Sequence, residues 1–194
     1  MTRDNSTIKK QLIDPQTCYK SYAPRFLSIC MRYCGNIEDA EDVLHDGFIK
    51  IIRYQDTFRS NHEKSLEGWM KRIIVNTALN YIRDHRKEKY FLDIDKMPMS
   101  ISPKEEEEEE TLIQELRKKI STEQVMRLLV ELPVGYRTIF NLFVFEEYSH
   151  REIANILGCT ENTSKSQLSK ARGMLRKKIL ETVKANVSDH LCGV

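Results

Sequence analysis

The stretch "NIEDAEDVLHDGFIKIIRYQDTF", Asn36 to Phe58, decides the fold class. Ala40, Val43, Leu44, Gly47 and Ile51 recur at spacings of three and four, so they share one face of an α-helix. Asn36, with Asp39 three residues on, supplies an N-terminal cap. The whole stretch is expected to form one amphipathic helix. Its outward side carries Asp39, Asp42, His45 and Asp46. Solvation alone is enough to keep such a face outside, but a carboxylate face repels DNA, and two other segments of the chain look made for DNA.

The first is "WMKRIIVNTALNYIRDHRK", within a helix expected over residues 66–87. At 100° per residue, Arg72, Asn76, Asn80, Arg83 and Lys87 fall within roughly 80° of arc. Leu66, Met70, Ile74 and Tyr81 point to one apolar side, and Val75, Leu79 and Ile82 to another. The helix is therefore largely buried, with one exposed stripe of amides and cations. Asparagine carries a donor and an acceptor that can read a base edge, and Arg and Lys meet phosphates. Trp69, the only tryptophan, projects onto that stripe, where it either stacks on an unpaired base or packs half-buried at the margin. Upstream, Arg59 to Ser65 reads as a polar loop able to fold over a flipped base.

The second segment lies near the end of the chain. Thr122 is expected to cap a short helix bearing Val125, Leu128, Leu129 and Leu132, and Pro133 begins another with Tyr136, Ile139, Phe140, Phe143 and Val144 inward. Ser149 and Glu152 form a capping box opening "HREIANILG", Gly158 makes a turn, and Thr160 caps a last helix. Small Ala154 and Gly158 sit at helix-turn-helix spacing. Leu168, Ala171 and Leu175 then pack inward, while Lys165, Ser166, Ser169, Arg172 and Arg176 face out, a basic and small-polar face suited to the major groove. The tail from Thr182 is polar and is expected to fray.

The period stays near 3.6 and strand signals are nearly absent, so the fold class is all-α. In the first lobe Tyr19, Tyr22, Phe26, Ile29 and Tyr33 form another apolar face, in a helix that Pro24 is expected to kink or split. A length of 194 residues suits one ordinary domain or two small ones, and charge supports two. Residues 1–91 hold 16 Lys or Arg against 12 Asp or Glu, residues 92–123 hold 5 against 10, and residues 124–194 hold 10 against 7. Two small helical domains, residues 12–91 and 122–182, thus flank an acidic linker over 92–121. Pro98 and Pro103 break any helix there, and Glu105 to Glu110 read either as a solvated, self-repelling spacer or as a specific docking segment, the spacer being the simpler reading. Leu112, Ile113, Leu116 and Ile120 share a helical face in its second half.

No apolar run approaches a membrane span and the start lacks a signal-peptide core, so a cytoplasmic location is expected. The five cysteines, Cys18, Cys30, Cys34, Cys159 and Cys192, have no metal-ligand pattern; Cys30 and Cys34, four apart on a helix, read as buried free thiols rather than as half of a metal site. The chain offers no phosphate-binding glycine loop, nucleophile elbow or carboxylate cluster with metal spacing, and neither catalysis nor a cofactor is expected of it.

In order, "AEDVLHDGFIKIIRYQDTFR", "SLEGWMKRIIVNTALNYIRDHRK" and, after the linker, "LLVELPVGYRTIFNLFVFEEYSHREIANILGCTENTSKSQLSKARGMLRKKI" resemble the extracytoplasmic-function (ECF) sigma factors of bacterial RNA polymerase. The resemblance covers nearly the whole chain apart from the linker and the termini. It implies a sigma region 2 domain, then a region 4 helix-turn-helix domain. It further implies that the acidic helix, through Asp39, Asp42, His45 and Asp46, docks on the clamp coiled coil of the polymerase's largest subunit. His45 stands where the family usually has glutamine. Arg59, Ser60, Asn61, Trp69, Arg72, Asn76, Asn80 and Arg83 would bind the minus-10 element, although the family often has an acid where Asn80 stands. Arg151, Lys165, Ser166, Gln167, Ser169, Lys170 and Arg172 would bind the minus-35 element. Ser164 replaces the family's usual valine at an inward site, where it either loosens the packing or bonds back to its own helix. The implied partners are core RNA polymerase, including the flap of its second-largest subunit, promoter DNA and an anti-sigma factor; no small-molecule substrate is implied. Two other readings stay open on the residues alone: a stand-alone helix-turn-helix regulator and a helical interaction module that binds no DNA.

Overall fold

The computed structural model describes residues 13–58, 65–85 and 120–191, with side chains as far as residue 184. Every regular element among them is helical. The loop residues Arg59, Ser60 and Asn61, the cation Lys87, the glutamate run, the rest of the linker up to residue 119, and Cys192 lie outside the described residues. The chain divides into two compact units, Met1–Ile82 and Arg83–Val194.

The first unit is built on three helices. Helix α1, Pro15–Cys34, starts where Asp14 accepts the Thr17 N–H at 2.7 Å and ends at Gly35, whose left-handed φ of 90° lets its N–H reach the Met31 carbonyl. The helix continues through Pro24, so of the kink or split the sequence suggests the split does not occur. Proline removes only one helix bond here, to the carbonyl of Lys20, and both residues are exposed to water. Helix α2, Ile37–Tyr54, is capped by Asn36, which accepts the Asp39 N–H at 2.8 Å. It stops short of the expected end and tightens into a 3-10 turn over Gln55–Thr57. Helix α3, Leu66–His85, opens with the Ser65 hydroxyl accepting the Gly68 N–H at 3.0 Å. Ser65 therefore begins a helix rather than ending a loop.

The core of this unit joins Phe26, Ile29, Cys30 and Tyr33 of α1, Val43, Leu44, Phe48 and Ile51 of α2, and Met70, Ile74, Val75 and Ile82 of α3, all buried. Gly47 marks a close approach: a Cβ added there would run into the terminal methyl of Ile74, Cδ1, which would have to move. Lys50 Nζ donates to Thr77 Oγ1 at 3.3 Å, and Thr77 in turn donates to the Ile73 carbonyl. The spacing and rotation of α2 against α3 are thus fixed by a packing contact and a polar one.

In the second unit, α4 spans Thr122–Val130. Its cap is Ser121 rather than Thr122, because only Ser121 has Gln124 three residues on to complete a reciprocal capping box. Helix α5, Val134–Phe140, runs into a π turn over Asn141–Phe145. The wider turn shifts the register, so Phe145 rather than Val144 packs against the core with Phe140, and Val144 is 40% exposed. Helix α6, His150–Leu157, and α7, Glu161–Leu191, complete the unit. Leu129, Leu132, Tyr136, Ala171 and Leu175 form its core. The expected fraying from Thr182 is not observed: Val183 is buried and α7 continues to Leu191. Arg137 is buried and donates to the carbonyls of Val130 and Leu132, closing the end of α4.

Candidate protein-docking and nucleic-acid faces

The acidic face of α2 exists as a surface. Asp42, His45 and Asp46 are exposed, with Ile49 56% exposed one turn on. Asp39 differs from them: its carboxylate accepts the Asn36 side-chain amide at 2.7 Å and belongs to the cap. The His45 ring lies parallel to that of Tyr19 of α1, and its Nε2 is 3.2 Å from the Tyr19 hydroxyl.

On α3, Arg72, Asn76, Asn80 and Arg83 are all exposed along one side, as their spacing requires. Of the expected apolar residues Met70, Ile74, Val75 and Ile82 are buried together with Thr77 and Ala78, whereas Leu66, Leu79 and Tyr81 are only half-buried. Trp69 is half-buried, and its ring centroid stands 5.5 Å from that of Phe58 at 50°. Packing on Phe58 holds the indole at the head of the polar stripe and leaves part of it in solvent. Arg25 of α1 pairs with Glu67 in the first turn of α3.

In the second unit the helix-turn-helix is assembled by its caps. The Ser149 hydroxyl accepts the Glu152 N–H while the Glu152 carboxylate accepts the Ser149 N–H at 2.9 Å, a reciprocal capping box. Gly158, at a left-handed φ of 68°, sends its N–H to the Ala154 carbonyl. Thr160 then accepts the Thr163 N–H at 3.0 Å and starts α7. Lys165, Ser166, Ser169 and Arg172 are exposed on α7, Lys170 is half-buried, and Arg151 is exposed on α6. Gln167 is a correction to the base-facing set: it is 1% exposed, because the core stripe of α7 is wide enough to include it beside Leu168 and Ala171.

Ser164 corrects a second expectation. Its side chain is fully buried, and its hydroxyl pairs with Nδ1 of His150 at 2.9 Å rather than with its own helix. The His150 ring stacks on Phe143 of the π turn, with centroids 4.6 Å apart, and the Arg172 guanidinium lies 5.8 Å from the same Phe143 ring. Burial, with the charges of Lys165 and Arg172, holds the imidazole pKa below its ordinary value, and Glu161 opposes them. Neither His150 nor Phe143 belonged to the sequence-derived site. A histidine at the first position of one helix and a serine fourteen residues on carry no pairing signal.

The four described cysteines are free thiols. Cys18, Cys30 and Cys34 are buried thiols and Cys159 is half-buried, and burial pushes the Cys30 thiol up to about 12. Among the described residues no group of three or more His, Cys, Asp or Glu side chains is placed to hold a metal ion.

Two families match the two units. Residues 18–88 match Sigma-70 region 2, and residues 122–175 match Sigma-70, region 4. RNA polymerase sigma factor SigV of Bacillus subtilis is 28% identical over 82% of this chain and 87% of its own length. ECF RNA polymerase sigma factor SigW of the same organism is 28% identical over 81% and 84%. The chain belongs to the ECF sigma factors. The ECF RNA polymerase sigma-E factor of Escherichia coli is also 28% identical, over 81% of this chain and 82% of its length. In fold, this sigma factor is like RpoE of Bartonella quintana, solved in complex with the anti-sigma factor NepR. That likeness has a TM-score of 0.50 at 22% identity, over 86% of this chain and 96% of that one.

Proposed function

We propose that this ECF sigma factor gives core RNA polymerase its promoter choice through three faces: the acidic side of α2, the polar stripe of α3 and the outer side of α7. Asp42, His45 and Asp46 dock on the clamp coiled coil of the largest polymerase subunit. Trp69, Arg72, Asn76, Asn80 and Arg83, with Arg59, Ser60 and Asn61, take the minus-10 element and its flipped base. Arg151, Lys165, Ser166, Ser169, Lys170 and Arg172 take the minus-35 element. Residues 12–91 form the polymerase- and minus-10-binding domain, residues 122–182 the minus-35-binding domain, and residues 92–121 the acidic connector between them.

The observation that carries this reading is the pairing, within one small unit, of an exposed carboxylate helix with an exposed amide-and-cation helix. A polyanion is repelled by the first and attracted by the second, so the unit suits two partners of opposite character. Opposite charge across the α2 contact speeds encounter and fixes register. Flipping a base costs a few kcal/mol of stacking, and a half-exposed tryptophan beside cations and amides is suited to offset that cost.

Chemistry belongs to the polymerase, and this chain supplies binding and strand opening. Its place of action is the cytoplasm; among the described residues no helix is long and apolar enough to cross a membrane. An anti-sigma factor covering these faces is the proposed regulator, as the Bartonella protein was crystallised with one. The test is binding to core polymerase by the variant Asp42→Arg with Asp46→Arg. Affinity should fall by at least about tenfold while the helical circular dichroism is unchanged. Unaltered affinity would remove α2 as the docking face.

A further inference from the structure

Three elements of the second unit meet at one imidazole. His150 occupies the first position of α6, its Nδ1 lies 2.9 Å from the Ser164 hydroxyl on α7, and its ring stacks on Phe143 of the π turn. Ser164 has 0% exposure, so its hydroxyl has no water to turn to. A buried hydroxyl deprived of its partner is costly, whereas replacing both partners by apolar groups of similar shape can be nearly neutral. Ser164 also lies in the midst of the residues assigned to DNA, next to exposed Lys165 and one turn before buried Leu168.

We propose that His150 is a positioning residue for α7: the polar pair with Ser164, backed by stacking on Phe143, sets the rotation of α7 against α6 and thereby which bases its outer face prefers. The inference rests on the minus-35 reading of α7 given above. The leverage is geometric. Side-chain ends stand about 5–6 Å from a helix axis, so a turn of about 20° moves them by about 2 Å. Hydrogen bonds to base edges tolerate only a few tenths of an ångström before they weaken. The pair supplies a directional tie that the surrounding apolar contacts of Leu168, Ala171 and Leu175 do not, since apolar packing is non-directional. Phe143 couples the tie to the outer face, because the Arg172 guanidinium lies against the same ring.

The experiment uses the full chain and three variants. His150→Phe keeps an aromatic ring over Phe143 and removes the bond, Ser164→Val removes the hydroxyl, and the double variant removes both partners. Amide hydrogen exchange over residues 161–168 is measured first, without DNA or polymerase. His150→Phe, which strands the buried Ser164 hydroxyl, should exchange about tenfold faster there; Ser164→Val should change less, because the half-buried imidazole can turn to water, and the double should return to within about threefold of the parent. The second measurement is run-off transcription with core polymerase on fragments randomised across the upstream element, with sequencing of those transcribed. Each single variant should flatten or change the upstream base preference, and the double should restore it. A role confined to stability lowers yield evenly across sequences, so an even loss, or effects that simply add in the double variant, overturns the proposal. A parent chain that transcribes with no upstream preference would overturn the minus-35 reading of α7 instead. The exchange comparison would then still decide whether the His150–Ser164 tie exists.

Discussion

Alanine at Gly47 would place a methyl carbon 2.4 Å from Ile74 Cδ1, more than 1 Å inside the distance two carbons prefer. The next atoms, Ile74 Cγ1 at 3.6 Å and Cα at 3.7 Å, stand at ordinary contact, so one methyl group of Ile74 is the whole obstacle. Ile74 has 0% exposure, and its displaced methyl would have to enter a packed core, an overpacking cost of about 1–3 kcal/mol. Alanine's helix propensity returns about 1 kcal/mol, for a net loss of about 0–2 kcal/mol. Ile74→Val alone deletes Cδ1 and costs about 0.5–1.5 kcal/mol. In the double variant the clash is gone and the propensity gain offsets the lost methylene. Its stability should lie within about 0.5 kcal/mol of the parent, a coupling of about 1–3 kcal/mol. Trp69 is the chain's only tryptophan and sits in the first unit, so its fluorescence during urea unfolding reports this unit alone. If the two single losses add in the double variant, the α2–α3 approach is not set by this contact.

Other outcomes follow from local geometry and charge. Glu147 holds a left-handed φ of 59° and its side chain is exposed, so Glu147→Gly should stabilise the second unit by about 0.5–1 kcal/mol, the left-handed penalty less the entropy of glycine; a lower melting temperature would contradict this. His150 has a folded pKa below its ordinary value, so as pH falls the unfolded chain takes the proton first. Stability of the second unit is therefore full above pH 6.5 and declines as pH falls below it towards the lowered folded value, and His150→Phe should flatten that decline in exchange measurements. Lys165→Gln should weaken promoter binding and reduce the slope of log affinity against log salt by about one, while an unchanged slope would remove Lys165 from the phosphate contacts.

Much of the fold was legible because it rests on local signals. The Ser149–Glu152 box, the Gly158 turn, the Thr160 cap and the inner face of α2 each depend on residues within four positions of one another, the range over which spacing alone determines which side chains meet. The split at Pro24 does not occur because a proline's cost depends on whether the freed carbonyl can reach water, and Lys20 and Pro24 are both exposed residues. Val144 misled because periodicity assumes a constant turn, and a π turn inserts an extra residue without a compositional mark.

The candidate faces divide in the same way. Exposure of Asp42, His45, Asp46, Arg72, Asn76, Asn80 and Arg83 follows from helical phase alone. Gln167 did not, since the width of the buried stripe on α7 is set by what packs against it. The His150–Ser164 pair and the buried Arg137 that closes α4 were invisible for a deeper reason: each joins elements whose contact exists only once the unit has folded. The Phe58–Trp69 packing likewise became definite only when the two rings were placed together.

The most direct test of promoter choice by this chain is run-off transcription with purified core polymerase, the chain, and a library of bacterial promoter fragments, mapping the 5' ends. Discrete starts that appear only when the chain is added, share a pair of upstream elements and vanish with Asp42→Arg plus Asp46→Arg are predicted. Absence of chain-dependent starts, from a core enzyme that initiates normally with another sigma factor, would contradict it.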